Sequence, residues 1–231
     1  MPTSRQWLLN GHPRGRGIED GDFQLVETAI GAPGDGEFLL KTLYLGFDPA
    51  QKGWMENIAD YVAPMAIGDV MRGSGISEVV ESNHSGFAVG DLVMGSTGWT
   101  EWHLSNGEGL VKIETELPPT AMLSVLGTTG VTAYCGLFKV GRPVAGDTVL
   151  VSGAAGATGS VVGQLAKIAG CRAVDLHVDT AGVDRVAAHF GATEPRIVIA
   201  IAPAAAVIAR AIEAGARTIA VPRRIEGVAA P

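Results

Sequence analysis

Residues 151–170 read VSGAAGATGSVVGQLAKIAG, and this stretch constrains the fold of the chain more than any other. The run TVLVS (148–152) is apolar and β-branched, the composition of a buried strand. Gly153, Gly156 and Gly159 follow in the spacing G-x-x-G-x-x-G, and in ATGSVVGQLAKIAG the apolar residues then recur at helical intervals. A strand that turns through glycines into a helix meets the three needs of a dinucleotide site. The turn must be tight, the backbone must come close to a pyrophosphate, and the helix must lie against the strand. Each need favours a residue without Cβ. The helix start adds free N–H groups and the positive end of its dipole, both suited to phosphate. A second strand, CRAVDLHV (171–178), arrives on schedule. In such sites the residue ending that strand, often an acid about 20 residues past the glycines, reads the adenosine ribose. The candidates are Asp175, His177 and Asp179. His177 lies nearest the expected strand end, and Asp179 just beyond it.

The pattern around this motif sets the fold class. From residue 148 strands and helices alternate. AGVDRVAAHFGA (181–192) and AAAVIARAIEAGA (204–216) read as helices, and RIVIAIA (196–202) and RTIAVP (217–222) as strands. That alternation specifies βαβ units and a doubly wound parallel sheet. The first half differs. QLVETAI, EFLLKTLYLGF, ISEVVES and DLVMG are short strand-like runs separated by turn segments such as APGDGE and NHSGFAVGD. Between the halves, PPTAMLSVLGTTGVTAYCGLFKV (118–140) has helical spacing that is broken at Gly127 and Gly130. The expected organisation is a β-rich domain over 1–120 and an α/β nucleotide-binding domain over 121–231.

Composition narrows the partners. A net charge of -7 argues against nucleic acid, which needs a basic surface, yet backbone amides can still hold a polyphosphate. No stretch reaches the roughly 18 apolar residues of a membrane span, and the N-terminus lacks a signal-peptide core. Two cysteines make no disulfide framework. The expectation is a soluble, cytoplasmic protein in which Cys135 and Cys171 are buried thiols. Cys135, Cys171, His84 and His103 lack the spacing of metal ligands, so no metal site is expected. Ser152 fails the G-x-S-x-G context of a nucleophile. Trp54, Trp99 and Trp102 read as core packing rather than cleft lining, and Lys52 and His103 as surface residues.

Several segments together resemble one family. RQWLL (5–9), DFQLVET (22–28), IGDVMRGSGISEVVES (67–82), FAVGDLVMG (87–95), VLGTTGVTAYCGL (125–137) and AGDTVLVSGAAGATGSVVGQLAKIAGCR (145–172) are similar, in order and spacing, to the medium-chain dehydrogenase/reductase superfamily. Within it the likeness is to the zinc-independent group of leukotriene B4 dehydrogenase, prostaglandin reductase and alkenal double-bond reductase. The resemblance implies a GroES-like β domain followed by a Rossmann domain, here shortened. It also implies NADP as cofactor and reduction of an activated C=C bond in a small-molecule enone, alkenal or quinone. Carried over, Gly127, Thr128, Thr132 and Ala133 would lie near the nicotinamide and phosphates, and Ala155, Gly156, Ala157, Thr158 and Gly159 would hold the pyrophosphate. Thr128 and Thr132 can equally be read as helix-capping hydroxyls.

The sequence departs from the family at three points. Ala50 stands where the family often has a tyrosine. Gly182 stands where a family lysine holds the 2′-phosphate of NADP, while nearby Asp179 repels a phosphate and suits the 2′-OH of NAD. After Ala192 the family's later strands, returning C-terminal segment and substrate-site tyrosine have no counterpart. No catalytic side chain is assigned, because family members can stabilise the enolate oxygen with a cofactor hydroxyl and backbone donors. The alternative to a reductase is therefore a dinucleotide-binding protein of the same fold without catalysis. The apolar strand RTIAVP, if it ends the sheet, implies a homo-oligomer.

Overall fold

The computed structural model describes residues 3–56, 62–176, 197–200 and 217–220. The chain divides into two compact units, Met1–Leu123 and Ser124–Pro231. Among the described residues no helix is long and apolar enough to cross a membrane.

The N-terminal unit is built from two sheets. Strands β1 (Thr3–Leu9) and β2 (Phe23–Ala29) form an antiparallel ribbon. Strands β3 (Phe38–Leu45), β4 (Ser74–Ser82), β5 (Leu92–Ser96), β6 (Trp102–Ser105) and β7 (Val111–Lys112) form a five-stranded antiparallel sheet in the order β6-β3-β4-β5-β7. Phe38, Leu40, Val79 and Val93 alternate inward from this sheet and form one core, with Phe87 and Leu110 packed against it. A second cluster joins Leu9 to Met55, Met65 and Met71, with Phe23, Trp54 and Trp99 around it. Met55 comes from a short helix, α1 (Ala50–Met55).

No strand was expected over β1, and its burial explains why. Ser4 is one of its inward residues and is fully buried, so the apolar alternation is interrupted by a polar side chain. The hydroxyl is satisfied there. Ser4 Oγ lies 2.8 Å from Thr100 Oγ1 and donates to the Trp102 carbonyl at 2.8 Å, which removes the penalty of burying it.

The C-terminal unit has a parallel sheet in the order β11-β10-β8-β9, formed by β8 (Thr148–Ser152), β9 (Arg172–Leu176), β10 (Ile197–Ala200) and β11 (Arg217–Ala220). Helix α2 (Thr128–Tyr134) runs into a π-helical turn, Cys135–Gly141, and α3 (Ala157–Ile168) crosses from β8 to β9. Val149 and Val151 of β8, Val162 and Ala166 of α3, and Ala133 and Leu137 form one apolar core. The helices expected over 181–192 and 204–216 lie outside the described residues.

Two expectations about the stretch 118–140 are corrected. Gly130 does not break the helix but sits inside α2, where a Cβ would stand 1.7 Å from the Val125 carbonyl oxygen. Glycine is there because the preceding chain crosses too close for any side chain. Cys135 is exposed, although Cys171 is buried as expected. Ala133 and Leu137 face the core, and a residue two positions from either points about half a turn away.

Candidate dinucleotide site

Strand β8 lies between β9 and β10 and delivers the chain into the glycine turn from the buried interior. Gly153 takes φ +64, the left-handed region that side chains avoid. The turn closes where the Gly156 amide donates to the Gly153 carbonyl at 2.9 Å. Gly156 then caps α3 from an extended conformation, φ -75 and ψ 170, with no side chain capping the helix. At Gly159 a Cβ would lie 2.4 Å from the Gly153 oxygen and 2.8 Å from Ala154 Cα. The first turn of the helix therefore rests directly on the chain leaving the strand.

This geometry leaves a row of backbone donors at the start of α3. The first amides of a helix have no intrahelical acceptor, and here no side chain among the described residues supplies one. Ala155, Gly156 and Ala157 are exposed, Thr158 is half-buried and Gly159 is buried. The turn 153–159 contains no acidic residue. An open row of amides at the positive end of a twelve-residue helix has the chemistry of a diphosphate cradle.

Helix α2 belongs to the same unit and packs on α3. Gly127 is its buried N-cap, at φ -91 and ψ -162, again without a side-chain cap. The capping role open to Thr128 and Thr132 is thus not realised. Thr128 is exposed and Thr132 half-buried, and neither hydroxyl has a hydrogen-bond partner among the described residues. Ala133 is 1% exposed and belongs to the core, so its side chain packs the helix rather than facing a ligand.

The strand β9 brings Asp175 beside Val151, with the aspartate exposed. His177 and Asp179 lie outside the described residues.

In the N-terminal unit, His103 is not the surface residue expected. Its Nδ1 is buried without a hydrogen-bond partner among the described residues, and burial pushes its pKa below the ordinary histidine value. Lys52 pairs with Glu56 one helical turn on. Trp54 and Trp99 do pack against the methionine cluster. Among the described residues no three His, Cys, Asp or Glu side chains gather as a metal site requires.

A glycine turn between a central parallel strand and a helix, in a unit preceded by a β-rich one, defines the medium-chain dehydrogenase/reductase class. Residues 5–113 match the family described as the N-terminal domain of oxidoreductase. The chain is 42% identical over 174 residues to the NADPH-dependent curcumin reductase of Escherichia coli, covering 75% of this chain and 50% of that protein. It is 40% identical over 188 residues to prostaglandin reductase 1 of Bos taurus, covering 80% and 54% respectively. Among solved structures, CurA from Vibrio vulnificus in complex with NADPH superposes with a TM-score of 0.79 at 26% identity, covering 94% of this chain and 82% of that one. The chain belongs to the zinc-independent reductase group of the superfamily, the group of prostaglandin and alkenal reductases. It spans about half the length of the curated relatives it matches.

Proposed function

We propose that this chain binds NADP(H) through the turn 153–159 and serves the reduction of an activated C=C bond in a small-molecule enone, alkenal or quinone. The observation that carries this reading is the start of α3, which no described side chain caps and which opens to solvent at Ala155–Ala157. Two relatives named as reductases supply the reaction type, one of them named NADPH-dependent. When bound, the dinucleotide supplies the hydride. The chain's own residues hold and orient it. The amides of Ala155, Ala157, Thr158 and Gly159 take the diphosphate, with the Gly156 amide closing the turn onto the Gly153 carbonyl beneath them. Gly127 presents the start of α2 without a side chain in the way, and the hydroxyls of Thr128 and Thr132, unpaired among the described residues, are available to donate toward the nicotinamide end. Ala133 holds α2 against the core. His177 and Asp179 follow β9, where the adenosine ribose is read. Asp179 accepts from a ribose hydroxyl and weakens 2′-phosphate binding, so NAD is a secondary cofactor.

The test is direct. Calorimetric titration of the chain with NADPH and NADH gives the two dissociation constants. Absorbance of the reduced cofactor is then followed with a panel of enones, alkenals and quinones. Tighter binding of NADPH with enone-dependent oxidation is the expected result. Binding without turnover would leave the dinucleotide site and remove the reductase reading. No binding of either cofactor would remove both. In Asp179→Asn the NADPH/NADH affinity ratio is expected to rise, and an unchanged ratio would show that Asp179 does not read the ribose.

A further inference from the structure

Two asparagine–glycine pairs stand in the N-terminal unit, Asn10-Gly11 and Asn106-Gly107. In such a pair the glycine amide nitrogen can attack the preceding side-chain amide, because no Cβ shields its approach. From the contacts around the two pairs we infer that Asn106 is a site of spontaneous covalent modification, converting to aspartate and isoaspartate in the folded chain, whereas the chemically equivalent Asn10 is protected.

Asn106 follows Ser105, the last residue of β6, and is exposed, as are Glu108 and Gly109. The bonds around it are local. Asn106 Oδ1 accepts from the Glu108 amide at 3.0 Å, and the Gly107 amide donates to Ser105 Oγ at 3.0 Å. Asn106 Nδ2 has no partner among the described residues. The reaction needs only water. The Gly107 nitrogen gives its proton to solvent and bonds to Asn106 Cγ, and negative charge gathers on Oδ1. The Glu108 N–H already meets that oxygen, as a donor to a developing oxyanion must. Nδ2 takes up a proton and leaves as ammonia, and a cyclic imide remains. Water opening the imide at Cγ gives aspartate. Water opening it at the main-chain carbonyl of residue 106 gives isoaspartate, with the chain running through Cγ. The fold also fixes the neighbour. Gly107 takes φ +87, and a Cβ there would lie 2.5 Å from Phe87 Cε2. Phe87 is stacked on buried Phe38 at 4.5 Å and has no room to yield. Asn106 is therefore followed by the one residue that hinders cyclisation least.

At Asn10 both reacting groups are tied down. Its Nδ2 donates to the Gly21 carbonyl at 3.0 Å. The amides of Asn10 and Gly11 both donate to the Asp22 carbonyl, at 2.7 and 3.2 Å. Asp22 is 2% exposed, with Arg16 Nη1 donating to its Oδ2 at 2.9 Å. Leaving group and nucleophile are thus held by a buried segment eleven positions on, and cyclisation there waits for that loop to open.

The product carries a new negative charge beside Glu108 and, as isoaspartate, one more backbone carbon in the turn that leads to β7. This inference rests on the N-terminal unit alone and stands apart from the reductase reading. The test ages the full chain at mildly alkaline pH, once folded and once in concentrated urea, and follows residues 10 and 106 by peptide mass spectrometry and isoaspartate assay. In the folded chain Asn106 is expected to convert at least about tenfold faster than Asn10, because only Asn10 waits on local opening. In urea the two should convert at similar rates, since each is then an unprotected Asn-Gly pair. Hydroxylamine added to the folded chain should cleave it between residues 106 and 107, the signature of the imide, and Asn106→Gln should abolish that cleavage. Equal conversion of the two sites in the folded chain would overturn the inference. So would faster conversion of Asn10, or an inert Asn106 in a folded chain whose unfolded form reacts.

Discussion

Replacing Gly159 with alanine tests how the glycine turn works. The added methyl would stand 2.4 Å from the Gly153 carbonyl oxygen and 2.8 Å from Ala154 Cα. Both neighbours are backbone, so neither can move aside as a side-chain tip would. The first turn of α3 must lift from the end of β8, and overpacking of this kind costs about 1–3 kcal/mol. For a chain of this size ~2 kcal/mol lowers Tm by about 4–8 °C. Lifting the helix also misaligns the amides of Ala157–Gly159. Loss of one hydrogen bond to a charged phosphate, about 1.5–3 kcal/mol, weakens NADPH binding by about tenfold or more. Gly156→Ala separates the two effects. Its methyl meets the Gly153 oxygen at 3.1 Å, a contact relieved by a shift of a few tenths of an ångström. Stability falls by only about 0.5–1 kcal/mol, the ordinary penalty for alanine at an N-cap. Its methyl projects from an exposed residue beside the free amides of Ala157–Gly159, so NADPH affinity still drops. Thermal melts and calorimetric titration of both variants read the two quantities. An unshifted Tm in Gly159→Ala would refute the close approach of helix and strand. Unchanged NADPH affinity in both would refute the diphosphate cradle.

Further expectations concern other residues. Thr128→Val and Thr132→Val remove hydroxyls without partners among the described residues, so stability should stay within about 0.5 kcal/mol of wild type while each weakens NADPH binding about fivefold, and unchanged affinity by titration would remove their cofactor role. His103 is held neutral by burial, with its folded pKa below 6.5. As pH falls below 6.5 the unfolded chain binds a proton that the folded chain refuses, so stability drops with falling pH until the folded pKa is reached. His103→Phe should flatten the decline in Tm between pH 7.5 and 5.5, and an identical slope in wild type and variant would exclude His103 as its source.

Much of the C-terminal unit was legible because its signals are local. The run TVLVS is buried in order along the strand, the three glycines mark the turn, and the helical spacing of ATGSVVGQLAKIAG becomes α3 over Ala157–Ile168. Each depends on residues adjacent in the chain, so periodicity and turn chemistry suffice. The sequence by itself thus determined the strand–turn–helix, the parallel sheet around it and the family likeness of the whole. Other features required the tertiary structure, since they depend on residues far apart in sequence. Ser4 can be an inward strand residue because Thr100 and Trp102 come back across 96 and 98 positions to satisfy it. His103 sits on a strand whose residue 40 neighbour is more than sixty positions away, and burial there, not its own sequence context, sets its charge. Phe47 and Trp99 form one aromatic wall only once β3 and the loop before β6 are brought together. Local backbone preference is written residue by residue, whereas burial and the meeting of distant side chains exist only after the chain has closed on itself.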